Sequence, residues 1–150
     1  SGLMFQTETG PSGFEGKGGE ADAVNIVERG NNYGWPAIYG PTTAPGMEAP
    51  LLEYSPACAP ASGAFYNGDK FPAFNGNFFL GCLRAAKIIR IVLDGRKVVS
   101  QENLLEGNLG RIREIAEGPD GYIYFSTSNR DGRGSPAKDD DRILRLVPIK

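Results

Sequence analysis

The stretch "RILRLVPIK" (residues 142–150) closely resembles a second stretch, "KIIRIV" (87–92), and a looser copy, "AVNIV", occupies residues 23–27. In each copy apolar residues alternate with a polar residue across the middle, which is the period of a β-strand with one buried face. Asn25 stands where the other two copies have Arg90 and Arg145. The repetition predicts one structural unit that is used three times.

Each copy is preceded by a second strand-like segment that opens at a glycine and is rich in Phe, Tyr, Ile and Leu. These segments are "GLMFQTE" (2–8), "GNFFLGC" (76–82) and "GYIYFSTS" (121–128). Equivalent positions in successive copies are 65 residues apart (25 to 90) and 55 apart (90 to 145). That spacing is typical of a four-stranded propeller blade with long loops.

No stretch of the sequence keeps a helical period, so the chain is predicted to be all-β. We expect a single partial β-propeller domain of about three four-stranded blades, at approximately residues 1–50, 51–105 and 106–150. Three blades do not close a ring, because propellers typically have about four to eight. The chain is therefore expected to belong to a longer protein or to complete a ring with another chain through a blade face. A β-sandwich with accidental repetition is the alternative that the pattern leaves open.

Composition excludes some partners. The net charge is −2 with both signs interspersed, which indicates neither a nucleic-acid footprint nor a membrane-surface patch. No run of about 18 apolar residues is present, so we expect no membrane span. Gly and Pro supply 21 and 11 residues, which fits many turns between short strands.

The chain contains no histidine. This excludes, within these residues, a Ser–His or Cys–His nucleophile, a His-ligated zinc and an imidazole base. The three carboxylates at 139–141 lack the alternating spacing of a calcium loop, so a solvated turn is the favoured interpretation. "DGRG" (131–134) and "EGKGGE" (15–20) are likewise predicted to be turns.

The two cysteines admit two interpretations. Cys58 precedes the strand "SGAFY" (62–66) and Cys82 ends the next one, so an antiparallel pair would bring them near enough for a disulfide. Two small buried thiols are the favoured alternative.

Two arginines share one face of a predicted strand. In "GRIRE" (110–114) the alternation places Arg111 and Arg113 on one side and Ile112 on the other. Two guanidinium groups after a glycine turn can hold a polycarboxylate bidentately. The alternative is that they lie over a blade edge and pair with Glu114 or Glu117.

Four long segments, in this order, resemble the soluble quinoprotein glucose/sorbosone (aldose sugar) dehydrogenases over practically the whole chain. They begin with "TETGPSGFEGKGGEADAVNIVERGNNYGWP" and "YSPACAPASGAFYNGDKFPAFNGNFFLGCLRAAKIIRIVLDG". They continue with "GRIREIAEGPDGYIYFSTSNRDGRG" and "DDRILRLVP". The resemblance implies the C-terminal half of a six-bladed β-propeller that binds pyrroloquinoline quinone (PQQ) and calcium.

The resemblance also implies roles for individual residues. The backbone carbonyls of Gly10 and Pro11 match the pair that holds calcium against the quinone. Arg111 and Arg113 match the arginines that contact the PQQ carboxylates, which favours the ligand interpretation over the edge pairing. Arg84 stands where the family has a lysine that contacts the quinone, and Tyr54 stands where relatives often have Trp at the rim.

Two departures limit what this chain is expected to do. The family's Asp-Glu pair is Asp22-Ala23 here, which removes a carboxylate from an accessory calcium site. The catalytic histidine of the family belongs to its N-terminal half, so the chain alone is expected to be inactive. The resemblance implies that the chain is part of a PQQ- and calcium-dependent dehydrogenase. That enzyme would oxidise the anomeric carbon of aldoses in a periplasmic or extracellular location. A non-catalytic propeller fragment that binds a ligand or a partner chain is the alternative.

Overall fold

The computed structural model describes residues 2–11, 21–40 and 42–149. The chain divides into two compact units, Ser1–Ala59 and Pro60–Lys150. The described residues form ten strands in three antiparallel sheets, and their only helical segment is a short 3-10 turn at Pro72–Phe74. The prediction of an all-β chain is confirmed. Within the same ranges no helix is long and apolar enough to cross a membrane.

The first unit contains one sheet, in the order β1 (Met4–Glu8), β2 (Asp22–Val27) and β3 (Leu52–Tyr54). Strand β2 carries the first copy of the repeat, and its Val24 is fully buried. The predicted turn "EGKGGE" (15–20) falls within residues 12–20, which lie outside the described part of the chain.

The second unit begins with a four-stranded sheet. Its order is β4 (Pro60–Phe65), β5 (Phe78–Cys82), β6 (Lys87–Asp94) and β7 (Lys97–Leu104). All five residues of β5 are buried. A strand buried on both faces is expected to be continuously apolar or small, and "FFLGC" has this character.

The third sheet, also in the second unit, has the order β10 (Ile143–Arg145), β9 (Ile123–Thr127) and β8 (Ile112–Glu117). Among the described residues the middle sheet thus has four strands, and the first and third sheets have three each. In all three sheets every strand pairing is antiparallel.

The repeated strings fall on equivalent strands, as predicted. Strands β2, β6 and β10 each pair with the aromatic-rich strand that precedes them in the chain. Arg90 lies opposite Phe79, and Arg145 lies opposite Tyr124. The first copy differs by one position, because Asn25 lies opposite Gln6.

The two repeat arginines also use their side chains in the same way. The guanidinium of Arg90 lies 4.6 Å from the centre of the Phe74 ring, and that of Arg145 lies 4.6 Å from the centre of the Tyr122 ring. Each arginine in addition pairs with a carboxylate, Arg90 with Glu102 and Arg145 with Asp120. The equivalent position of the two arginines in the repeat is therefore matched by a repeated cation–π contact.

The core of the second unit lies between its two sheets. Ile115 of β8 donates its backbone N–H to Ser62 Oγ of β4 at 2.9 Å, and the Tyr66 hydroxyl donates to the Gly121 carbonyl at 2.8 Å. Fully burying one large aliphatic side chain contributes about 1.5–3 kcal/mol. The buried members of this core are Tyr66, Phe79, Ile88, Ile112, Ile115, Ile123 and Phe125.

A β-bulge interrupts β8 at Arg113. Ile112 lies opposite Thr127 and Glu114 lies opposite Ser126, so Arg113 is the extra residue. As a result Ile112 and Ile115 are both buried, at 0% and 2% exposure, with two exposed residues between them. A bulge of this kind re-aims the side chains around it.

Both cysteines, Cys58 and Cys82, are free and buried. The interpretation as buried thiols is confirmed, and the disulfide alternative is wrong for this structure. Each side chain is at most 3% exposed. Small apolar packing residues are the role that this burial indicates.

Candidate functional site

The start of β8 and the end of β9 meet at one edge of the third sheet. Because the two strands are antiparallel and Ile112 lies opposite Thr127, Arg111 just before β8 adjoins the loop that follows β9. The backbone N–H of Ser128 donates to the Arg111 carbonyl at 2.9 Å. This edge therefore brings Arg111 next to the loop of residues 128–142.

One carboxylate oxygen of that loop binds both predicted arginines. Asp131 Oδ2 accepts hydrogen bonds from Arg111 Nε and Nη2 at 3.1 and 2.9 Å, and from Arg113 Nη2 at 3.0 Å. The predicted placement of the two arginines on one side of the strand is thus matched by a shared partner. That partner is Asp131, whereas the sequence had suggested Glu114 or Glu117, and Glu117 instead accepts the N–H of Asn67.

Asp131 is itself fixed by its own turn. Its Oδ1 accepts the backbone N–H of Arg133 at 3.0 Å, and the Ser128 hydroxyl lies 3.4 Å from Oδ2. The Arg133 N–H is the main cause of a lowered pKa of Asp131, and the hydrogen bond and charge of Arg111 and the charge of Arg113 lower the pKa further. The carboxylate is therefore ionised at neutral pH.

Asn129 joins the two loops at this edge. Its Oδ1 accepts the Arg111 N–H at 2.8 Å, while its Nδ2 donates to the Leu109 carbonyl and to Asp140 Oδ2, both at 2.9 Å. The side chain is 3% exposed, so its amide bonds replace lost water contacts. Gly110 has φ +77, and a Cβ there would lie 2.2 Å from Asn129 Oδ1. Glycine is required at this position for both reasons.

Asp140 organises the rest of the loop. Its side chain is 2% exposed and accepts the Ala137 N–H at 2.8 Å and Arg142 Nε at 3.1 Å. The Ala137 N–H is the main cause of its lowered pKa, with further lowering by Asn129 and Arg142. The interpretation of residues 139–141 as a solvated turn is wrong for Asp140, because Asn129, Ala137 and Arg142 enclose its carboxylate. No group of three or more His, Cys, Asp or Glu within the described ranges is arranged to hold a metal.

A cleft of about 470 Å³ opens beside this network. Its walls come from the β5–β6 turn, the segment before β8 and the loop after β9. Arg84, exposed in the β5–β6 turn, and Arg111 both line it. The charged residues of the lining are four arginines and one carboxylate, namely Arg84, Arg111, Arg133, Arg142 and Asp140. This excess of guanidinium groups favours an anionic ligand.

The remaining predicted residues, Gly10, Pro11 and Tyr54, belong to the first unit. The Gly10 N–H donates to Asp22 Oδ1 at 2.9 Å, and Asp22 Oδ2 accepts the Ala59 N–H at 2.6 Å. A Cβ at Gly10 would lie 1.8 Å from the Ala21 carbonyl oxygen, so the segment passes too close for any other residue. Tyr54 lies opposite Asp22 and is partly buried. Asp22, 1% exposed, thus holds the Gly10 segment in place.

A known family matches this chain. The family model described as Glucose / Sorbosone dehydrogenase covers residues 1–145. The chain belongs to the glucose/sorbosone dehydrogenase family. The resemblance inferred from the sequence motifs is confirmed.

Individual members of the family are similar in sequence and fold. Aldose sugar dehydrogenase YliI of Escherichia coli (strain K12) is 32% identical, over 88% of this chain and 37% of YliI. A solved PQQ-bound aldose sugar dehydrogenase from Streptomyces coelicolor is 28% identical with a TM-score of 0.78, over 95% of this chain and 39% of that one. The soluble aldose sugar dehydrogenase from E. coli in its apo form is 33% identical with a TM-score of 0.70, over 83% and 38%.

These comparisons confirm the fold class as a portion of a β-propeller of the glucose/sorbosone dehydrogenase type. The chain spans less than half the length of the relatives it matches. The division into blades at residues 1–50, 51–105 and 106–150 stays a prediction.

Sequence reasoning missed two residues of the cluster, Asp131 and Asn129. A signal for both was present, because an antiparallel partner for "GRIRE" places the residues that follow β9 beside Arg111. The "DGRG" segment was interpreted as a turn, and residues 131–133 do form a turn. The turn's acidic residue also binds the arginine pair.

Proposed function

We propose that this glucose/sorbosone dehydrogenase chain forms part of a PQQ-dependent dehydrogenase that oxidises the anomeric carbon of aldoses. The observation that carries the proposal is the Arg111–Asp131–Arg113 cluster beside a cleft lined by guanidinium groups. A PQQ-bound member of the family from Streptomyces coelicolor supports the choice of cofactor.

The donor set suits a polycarboxylate. Arg113 is half-exposed and uses Nη2 for Asp131, and its Nε and Nη1 bond no group in the described part of the chain. Those N–H groups can donate hydrogen bonds to a carboxylate of a ligand. Arg111 and Arg84 add positive charge along the adjacent cleft. When bound, PQQ supplies the two-electron acceptor for the sugar, and this chain's residues bind and orient it.

The proposal also includes calcium, for which this chain supplies fewer ligands than it does for PQQ. Calcium takes about six to eight oxygen ligands. In this chain we assign it the backbone carbonyls of Gly10 and Pro11 alone, because both carboxylate oxygens of Asp22 already accept backbone N–H groups. The other oxygens would come from groups outside this chain.

If the base that accepts the proton of the sugar hydroxyl is a histidine, it is not among these 150 residues, because the chain contains no histidine. We therefore propose that an aldose is oxidised only when a second chain, or the N-terminal half of the parent protein, completes the site. We also propose a periplasmic or extracellular location, on the strength of the resemblance to soluble sugar dehydrogenases.

Reconstitution tests this proposal. The chain alone, with PQQ and calcium, is expected to reduce no dye with glucose, and activity should appear after mixing with the N-terminal half. Arg111→Ala/Arg113→Ala should abolish the restored activity, whereas Arg145→Ala, which removes a comparably exposed arginine paired with Asp120, should retain it. Equal activity of the double variant and the wild type would show that the site is elsewhere.

A non-catalytic binding module is the second candidate. The observation that favours it is Arg84, which stands where the family has a lysine. A planar guanidinium group presents its N–H donors to a quinone in a different geometry from an ammonium group. Under this alternative the mixed protein would bind PQQ without reducing dye. Activity regained or raised by Arg84→Lys would favour the dehydrogenase.

A further inference from the structure

We infer that Arg133 and Arg142, which line the cleft from the loop after β9 and its end, form a second anion subsite. The subsite would select acidic aldoses, that is, sugars that carry a carboxylate or a phosphate group. This inference rests on the proposed function and names a substrate class for it. It concerns two arginines that the proposed cofactor contacts do not include.

Arg133 presents a guanidinium group that the fold does not use. The side chain is exposed and lines the cleft, and no hydrogen bond or ion pair joins it to another described residue. By contrast, Arg111 of the same lining donates to Asp131 through two of its nitrogens. All the N–H donors of the Arg133 guanidinium are therefore available to a ligand.

The backbone on both sides of Arg133 is fixed. The Arg133 N–H donates to Asp131 Oδ1 at 3.0 Å. One residue later, a Cβ at Gly134 would lie 2.6 Å from the Asn129 carbonyl oxygen, so the chain passes Asn129 too closely for any other residue. The unused side chain is thus attached to an ordered backbone, which lowers the entropic cost of binding a ligand.

Arg142 supplies the second positive group of this subsite. Its backbone N–H donates to Thr127 Oγ1 at 2.9 Å, and its Nε donates to Asp140 Oδ1 at 3.1 Å. The Arg142 side chain is 35% exposed, against 2% for Asp140. The two Nη groups of Arg142 make no further bond with the described residues, so they too can donate to a ligand.

The positive charge of the lining exceeds what its own carboxylate offsets. Asp140 supplies that carboxylate, and it already accepts hydrogen bonds from Ala137 and Arg142. Arg133 has no carboxylate partner in the described part of the chain. Like charges that line one cleft repel each other, and a bound carboxylate or phosphate relieves this repulsion and accepts paired N–H bonds. An uncharged sugar does neither.

The alternative role for Arg133 is to bind the cofactor. The proposed function already assigns Arg84, Arg111 and Arg113 to PQQ, so a fourth cation is not needed to explain binding of a polycarboxylate. The two roles differ in which ligand loses affinity when the Arg133 guanidinium is removed. Only the sugar should lose affinity if Arg133 belongs to the substrate subsite.

The experiment compares the wild-type chain with Arg133→Gln and with a matched control, Lys138→Gln. Lys138 is an exposed cation of the same loop and is not part of the cleft lining. Each protein is titrated with D-glucuronate, D-glucose-6-phosphate, D-glucose and PQQ, and the dissociation constants are measured. Urea unfolding midpoints report on the fold, which Arg133→Gln should preserve because the backbone bond to Asp131 remains.

We expect the wild-type chain to bind glucuronate and glucose-6-phosphate at least about tenfold more tightly than glucose. Arg133→Gln should bind both acidic sugars about tenfold to hundredfold more weakly, which is the range for one charge-assisted hydrogen bond, with PQQ affinity unchanged. Lys138→Gln should match the wild type with every ligand. Tighter binding of glucuronate than of glucose-6-phosphate would assign the subsite to a carboxylate, and the reverse order would assign it to a phosphate.

Activity provides a second measurement. After mixing with the N-terminal half, PQQ and calcium, kcat/KM is measured for the preferred acidic sugar and for glucose. The ratio of the two values should fall in Arg133→Gln by the same factor as the affinity for that acidic sugar, because specificity is a ratio of kcat/KM values. Lys138→Gln should keep the wild-type ratio.

The outcomes are distinguishable. Equal affinity of the wild type for glucose and the two acidic sugars, together with PQQ binding, would overturn the inference and leave the proposed function intact. A loss of PQQ affinity in Arg133→Gln would place this arginine in the cofactor site and also overturn the inference. An equal loss of acidic-sugar affinity in Lys138→Gln would do the same, because it would show a general effect of charge. Selective binding of acidic sugars by a chain that does not bind PQQ would contradict the proposed function alone.

Discussion

Asn129 holds Arg111 through a single short hydrogen bond, from the Arg111 backbone N–H to the Asn129 side-chain oxygen at 2.8 Å. This bond joins the segment before β8 to the loop after β9, two segments 18 residues apart in the chain. The position of the arginine cluster therefore depends on a buried amide that carries no charge. The predictions below examine this network and the core beneath it.

Asn129→Ala should destabilise the chain by about 1–3 kcal/mol, because it leaves buried partners, including the Arg111 N–H and the Leu109 carbonyl, without hydrogen bonds. Urea denaturation followed by circular dichroism measures the change. Asn108→Ala, at an exposed position of the same segment, is the control and should change stability by less than about 0.5 kcal/mol. Equal midpoints for the two variants would contradict the bridging role.

Gly110→Ala should destabilise the fold more than Gly107→Ala. Both glycines have positive φ, +77 and +72, so both variants pay the strain of a side chain in this region, about 1 kcal/mol. Only Gly110 adds a clash, since its Cβ would lie 2.2 Å from Asn129 Oδ1, while nothing lies within 4 Å at Gly107. The expected excess is about 1–3 kcal/mol in unfolding free energy. A difference near zero would show that the Asn129 side chain moves aside at no cost.

Asp140→Asn should remove part of the acid sensitivity of the fold. The pKa of Asp140 in the folded chain lies below its usual 3.8, chiefly through the Ala137 N–H. A depressed folded pKa contributes stability that is present above the unfolded value and is lost as the pH falls through the folded value. The wild type should therefore exceed the variant in unfolding midpoint at neutral pH, and the gap should narrow below pH 3.8. Asp139→Asn, at an exposed neighbour, is the control; a gap that does not depend on pH would contradict this account.

Ile112→Ala should cost about 2–5 kcal/mol, because Ile112 is 0% exposed in the core between the two sheets of the second unit. Ile143→Ala is the matched control, since the same side chain in the same sheet is 80% exposed there. Its expected effect is within about 0.5 kcal/mol. Chemical denaturation of both variants measures the contrast, and similar losses would mean that Ile143 is covered in solution.

The sequence determined the strands and their repetition. Alternating apolar residues in "AVNIV", "KIIRIV" and "RILRLV" predicted three equivalent strands, and the structure pairs each with the aromatic-rich segment before it. This could be predicted because the buried face of a strand must carry apolar residues at every second position. The strands are therefore visible in the local sequence pattern. The arginine pair was also visible, since alternation places residues two apart on one face.

The tertiary structure alone decided which charges meet. Asp131, Asn129 and Asp140 come from a loop whose sequence has no period, and their partners Arg111 and Leu109 precede a different strand. The bulge that makes Arg113 the extra residue of β8 allows both Ile112 and Ile115 to be buried in the core of the second unit. Contacts of this kind depend on how strands that are distant in the chain pair and pack. The local sequence pattern therefore does not predict them.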